Sequence, residues 1–222
     1  MLNLTVILVL SYLAGSFPTS IIVGKITRGI DIREHGSGNA GGTNSFRVLG
    51  WKAGLFVSLV DIAKGTFATL VISRIRFGTA PFENPSIVMI LAGICAILGH
   101  TYTIFAGFKG GKGVATGAGM LIALFPYALL TCLVIFLLIL FTTGFVSVSS
   151  ITAAVSLPIM LFMFDRFLNM NVDPVLMIVS IIIPFFIIFT HRTNIKRLIS
   201  GEEKSFEKLK IFRRKSSNSS EF

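Results

Sequence analysis

Val114–Phe141, VATGAGMLIALFPYALLTCLVIFLLILF, runs for 28 residues without a charge. As a single helix it would be about 42 Å long at ~1.5 Å per residue, well beyond a ~30 Å hydrocarbon core. Pro126 offers a break near the middle, because its ring removes a backbone donor and clashes with the preceding turn. Reading this run as one crossing or as two decides how many spans the chain has, and on which side each loop lies.

Working outward, five more apolar stretches occupy Leu2–Val23 and roughly 53–73, 86–106, 146–164 and 174–190. Each has, or nearly has, the ~20 residues a helix needs to cross a bilayer. The 222 residues are 53% hydrophobic and 14% charged, where a soluble domain carries about 25% charged. Mean hydropathy is +0.83, which excludes disorder, a coiled coil or a disulfide scaffold. Cys95 and Cys132 both fall inside apolar runs, so they read as packing residues. Leu2–Val23 meets its basic residues, Lys25 and Arg28, behind it rather than ahead. It is therefore expected to remain as an anchor with its N-terminus outside, not to be a cleaved signal peptide.

The net charge of +10 makes anionic headgroups, nucleic acid and phosphorylated small molecules candidate partners. Its distribution arbitrates between the possible topologies. With seven spans and the N-terminus outside, segment 25–52 carries five Lys or Arg inside, 107–113 carries two, and the tail from His191 carries nine. Only Arg74, Arg76 and Arg166 lie outside. Six spans would put the nine-charge tail outside, against the positive-inside rule. The expectation is an all-α integral membrane protein of seven transmembrane helices, split at Pro126, with a cytoplasmic C-terminus. Residues 1–200 would form the membrane domain, and 201–222 a basic tail whose Ser/Asn-rich end is disordered.

In this topology every glycine-rich or polar cluster faces the cytoplasm: 34–47, 99–116, 142–150 and 190–197. Non-helical backbone at membrane depth is tolerated where it is buried in protein or lines a wet cavity, so these clusters should build a site. Gly36, Gly38 and Gly41 match GxGxxG with Asp61 about twenty residues on, but the preceding strand of a dinucleotide fold is missing. What survives is an anion nest of backbone N–H groups, with Ser37, Thr43 and Asn44 as neutral donors and Arg47 as a planar fork for phosphate. Gly107–Gly113 resembles a Walker loop but has Ala106 and Gly113 at defining positions, so no nucleotide is implied. It leaves Lys112, wrapped by Gly110, Gly111 and Gly113, at the start of a helix, where an anion is favoured. Two anion sites on one face suggest two phosphates. Asp61 and Lys64, three apart on one helix, read as a structural ion pair; His100 is as readily a helix terminus as a ligand, and no metal-ligand set is visible. His191 and Asn194 share a helix face if the last span continues that far.

These residues together resemble the bacterial glycerol-3-phosphate acyltransferases that use acyl phosphate, the PlsY type. The likeness covers nearly the whole chain and rests on four motifs in order: Ser37–Arg47, Gly99–Thr116, the serine motif Val146–Ile151, and His191–Gly201. Asp61 and Lys64-Gly65 resemble a further DxxKG element. Gly42, Thr103 and Gly144-Phe145 depart from the family's usual Ala, Pro and Arg-Tyr.

The resemblance implies transfer of a fatty acyl group from acyl phosphate to the sn-1 hydroxyl of glycerol 3-phosphate, giving lysophosphatidic acid and phosphate at the bacterial inner membrane, with no cofactor. It implies that Ser37, Gly38, Asn39, Gly41 and Gly42 cradle a phosphate or oxyanion, with Thr43 and Asn44 ordering the loop. Arg47 and Lys112 would bind phosphate; Ser150, His191 and Asn194 would hold the glycerol phosphate. The hydroxyl proton could pass to His191 or to a substrate phosphate. Acyl phosphate is a mixed anhydride already activated for attack, so orientation and charge stabilisation are the protein's main tasks. A transporter or channel for a phosphorylated anion is the competing class, although it would place binding elements near the midplane and an exit opposite. A thioester-using acyltransferase of the HxxxxD kind is disfavoured, since Ala40, Phe105 and Lys196 stand five after the three histidines. Nucleic acid fits poorly, because the basic tail has few interleaved aromatics; membrane lipids remain the tail's expected partner.

Overall fold

The computed structural model describes residues 2–77, 82–207 and 210. All regular structure in them is helical: α1 (Leu2–Ser16), α2 (Thr19–Arg28), α3 (Gly42–Val48), α4 (Trp51–Leu70), α5 (Pro85–Thr101), α6 (Val114–Leu124), α7 (Pro126–Thr143), α8 (Val146–Leu168), α9 (Pro174–Thr190) and α10 (Arg192–Ile199). Among the described residues, five stretches are long and apolar enough to cross a membrane, and the α9–α10 pair, bent by 59°, makes a sixth if taken as one. The protein is thus an all-helical, multi-pass membrane protein.

The run quoted at the outset does divide at Pro126, which begins α7. The halves are unequal. At 18 residues α7 is a full span, whereas α6 has 11 residues and is too short to be counted as a span by itself. The first span also differs from the continuous helix expected over Leu2–Val23. Pro18 cannot supply an N–H to the ladder, so α1 stops at Ser16 and α2 resumes at Thr19. Phe17 O then accepts from Lys64 Nζ at 2.5 Å.

Close helix contacts are made through small residues, as packing without a hydrophobic drive between helices requires. A Cβ on Gly15 would sit 2.1 Å from Ala96 O, so α1 and α5 touch backbone to backbone; one on Gly65 would sit 2.0 Å from Thr116 O, where α4 meets α6. One apolar cluster joins Ile90 and Leu121 to α7, α8 and α9 through Ala128, Leu157, Leu161 and Leu176. A second joins Ile7, Ala68, Val88 and Ala92 from α1, α4 and α5. At the end of the bundle away from the glycine-rich segments, Asn84 Nδ2 donates to Asp173 at 3.0 Å and the rings of Phe125 and Phe164 pack 5.7 Å apart.

Candidate active site

The first glycine-rich loop is organised by one side chain. Asn44, 1% exposed, accepts from Ser37 N at 2.8 Å and donates to Ile32 O at 3.0 Å and His35 O at 2.9 Å. A buried amide must satisfy these groups, so residues 32–37 are wrapped over the start of α3. Arg33 fastens the loop to the neighbouring motif: it pairs with Asp31 at 2.7 Å and donates to Ala106 O at 2.7 Å. The Arg33 hydrogen bond holds the Asp31 carboxyl down at about 2. A Cβ on Gly42 would lie 2.1 Å from Ser58 Oγ, so the alanine usual in the resembled family would require Ser58 to turn away. Asn39 reaches across to Gly110 O at 3.5 Å.

The second loop folds back on the end of α5. Gly110 N donates to Thr101 O and Gly111 N to His100 O, both at 3.0 Å. This presents Lys112 to the junction of α9 and α10, where Nζ donates to Asn194 Oδ1 and the Lys112 carbonyl accepts from Thr190 Oγ1 at 3.2 Å. Burial pulls the Lys112 ammonium down to about 8, and the neighbouring cations Arg197 and Arg47 act in the same direction against Glu203. Arg47 is likewise lowered, chiefly by burial.

The segment after α10 completes the cluster. Glu202 N and Glu203 N donate to Arg197 O at 2.8 and 3.1 Å, turning the chain back over the site. The Glu203 carboxylate then accepts from Asn194 Nδ2 at 2.6 Å, Ser147 Oγ at 3.0 Å and Arg197 Nε at 2.8 Å. Burial alone would raise this carboxyl, but the three donors outweigh it and hold it below the usual carboxylate range. Arg47 donates to Lys204 O at 2.6 Å and lies 4.9 Å from the centre of the Phe206 ring. Lys204 Nζ donates to Gly36 O at 3.1 Å, and Phe206 N to Gly144 O at 2.8 Å.

All four sequence clusters therefore meet at one end of the bundle. Lys112 and Asn194 touch, Arg47 is joined to them through the 203–206 strap, and Asn39 joins the two loops. Ser150 is buried in α8, one turn beyond Ser147, and it is Ser147 that reaches Glu203. His191 is buried at the α9–α10 junction with Nδ1 2.8 Å from Ile187 O. Sequence reading missed Glu203, Arg197 and Ser147. The signal was a pair of carboxylates, Glu202-Glu203, in an otherwise basic stretch. The tail expected to begin at 201 opens with these bonded residues, while its Ser/Asn-rich end lies outside the described residues.

Comparison with known proteins gives the family of the chain. The family model described as glycerol-3-phosphate acyltransferase matches residues 5–201. A glycerol-3-phosphate acyltransferase of Chlorobaculum tepidum is 49% identical over 223 residues, covering 91% of this chain and 96% of its own. One of Chlorobium phaeobacteroides strain BS1 is 47% identical over 226 residues with the same coverage. Among solved structures, the glycerol 3-phosphate form of PlsY (YgiH), an integral membrane glycerol 3-phosphate acyltransferase, superposes with a TM-score of 0.80 at 35% identity, covering 91% of this chain and 95% of that one. Its lysophosphatidic acid form gives 0.78. With the family model spanning most of its length and relatives near half identity across nine-tenths of it, this chain belongs to the glycerol-3-phosphate acyltransferase family.

Proposed function

We propose that the protein transfers a fatty acyl group from acyl phosphate to the sn-1 hydroxyl of glycerol 3-phosphate. The observation that carries this reading is the meeting of two glycine-rich loops and the Lys112–Asn194 pair at one end of an apolar bundle. That site offers donors for two phosphates and a lipid-facing exterior for one acyl chain.

In this reading the donor phosphate lies against Gly38–Gly42, on the side where Asn39 joins the loops. Glycerol 3-phosphate lies on the other side of Lys112, among Ser147, Ser150, His191 and Asn194, with Arg47 supplying a second cation. The sn-1 oxygen attacks the acyl carbon, the bond from that carbon to the phosphate oxygen breaks, and phosphate leaves carrying the hydroxyl proton. The proton goes to phosphate because the protein bases nearby are poor ones. Glu203 is held anionic by three donors, and charging His191 would add a cation beside Lys112. Lys112 and Arg47 stabilise the charge that builds on the leaving group.

The chain is read as crossing the bacterial inner membrane seven times, N-terminus outside, with the site on the cytoplasmic face. The charge asymmetry supports this orientation. The short fourth crossing is α6, with Lys112 in the loop just ahead of it. The transport alternative would need a second polar opening at the far end, where the Asn84–Asp173 pair and the Phe125–Phe164 contact are found.

The test is acyl transfer by purified protein in lipid, offering glycerol 3-phosphate with palmitoyl phosphate or palmitoyl-CoA. Lysophosphatidic acid from the acyl phosphate alone, lost in Lys112→Ala, is the expected result. No product from either donor, in a folded sample, would overturn the reading.

A further inference from the structure

Arg47 stands in the last turn of α3, a helix of only seven residues. The segment after α10 meets it twice. Arg47 Nη2 donates to Lys204 O at 2.6 Å, and its Cζ lies over the Phe206 ring, 4.9 Å from the centre. Lys204 and Phe206 fall beyond residues 5–201, the stretch that the family model matches, and the reaction just described gives them no part.

The chemistry of these two partners is what matters. A carboxylate would hold a guanidinium firmly but would also neutralise it. Glu203 attracts Arg47 through space, yet its oxygens are already engaged by Asn194, Ser147 and Arg197. A backbone carbonyl and an aromatic face carry no net charge, so they can order the guanidinium and leave its positive charge intact for an anion. They also leave most of its donors free. A guanidinium has five N–H groups in a planar fork; Lys204 O takes one of them, and a ring offers no oxygen to take another.

The ring is itself held in place. Phe206 N donates to Gly144 O at 2.8 Å, in the turn between α7 and α8. Two residues earlier, Lys204 Nζ donates to Gly36 O at 3.1 Å, in the first glycine-rich loop. The strap therefore spans the site from one wall to the other with Arg47 beneath it. A long side chain that is free must be ordered when its ligand arrives, and one ordered beforehand binds more tightly.

We propose that Phe206 is a positioning residue whose ring, carried by the 203–206 strap, aims the Arg47 guanidinium at substrate phosphate without neutralising it. This rests on the proposed acyltransferase reading, in which Arg47 is the second cation of the site.

The experiment compares wild-type protein with Phe206→Leu, which keeps most of the bulk and loses the π face, and Phe206→Tyr, which keeps the face. Acyl transfer from palmitoyl phosphate to glycerol 3-phosphate is measured per folded protein, with the folded fraction taken from each thermal transition. Phe206→Leu should lower kcat/KM about tenfold, the scale of a cation–π contact partly shielded from water, and Phe206→Tyr should stay within about twofold of wild type. A leucine variant as active as wild type, or a tyrosine variant as impaired as the leucine one, would overturn the proposal, because strap packing would then account for the ring. Absence of product from the wild-type protein would instead sink the acyltransferase reading itself.

Discussion

Helices α6 and α7 come from one uncharged run of sequence and have opposite fates. Helix α7 is 18 residues of which only 11% of the apolar window is buried; Leu130, Val134 and Leu138 point outward, and its role is to wall the bundle against lipid. Helix α6 is 11 residues, its Thr116, Gly119, Met120 and Leu121 buried against its neighbours. Its short length brings the preceding loop, and Lys112 with it, inward toward the α9–α10 bend. Hydropathy cannot tell the two apart, because lipid and a helical neighbour are equally apolar surroundings. What differs is residue size: Gly65, Gly119 and Thr116 let α6 approach α4 to backbone contact, whereas α7 turns a broad face of branched and bulky chains outward.

The comparison can be broken most sharply at Lys112. Lys112→Ala should lower kcat/KM for acyl transfer about 10³-fold, the scale seen when one charge-stabilising donor is removed, with thermal stability nearly unchanged. Rates within tenfold of wild type would mean that α6 does not deliver the site's central cation. Next is the seat of α6. A Cβ on Gly65 meets Thr116 O at 2.0 Å, so Gly65→Val should cost about 1–3 kcal/mol or more by overpacking. A thermal-shift assay in detergent would show it, and an unchanged midpoint would mean the two helices separate freely.

A smaller effect should appear in the pH profile. Since burial lowers Lys112 to about 8, it is cationic below that value and loses its charge as pH rises through it. The kcat/KM profile should therefore fall on an alkaline limb near pH ~8, and Lys112→Arg, which stays charged, should move that limb above pH ~10. A limb that does not move would assign it to another group. Smallest of all, Leu138→Ala on α7 should change stability by less than about 0.5 kcal/mol, because the side chain faces lipid in any case. A larger loss would mean that α7 is covered by something more specific than lipid.

Much of this was legible in the chain. The spans stand out because apolar length is a strong signal, and 174–190 coincides with α9. The four motifs are visible because glycine, asparagine and cations have no reason to cluster at span ends unless they share a task. The break at Pro18 was hidden inside a continuous apolar run, although its chemistry is that of Pro126. Glu203 was hidden for another reason: on a charged segment beyond the last span, a carboxylate with buried partners looks the same as a solvated one. The seat of Arg47 against Phe206 is a through-space contact between residues far apart in the chain, and spacing alone says nothing of which ring faces which cation.

The strap from Glu202 to Phe206 also bears on the order in which the molecule becomes competent. It lies C-terminal to every span, so during synthesis all the helices can be in place while Arg47 and Asn194 still lack their closing partners. The site is finished by residues made after every one of the helices. A chain stalled or clipped before Glu203 would be a correctly inserted but silent protein, and activity in the membrane would report only those molecules whose translation had run past the strap.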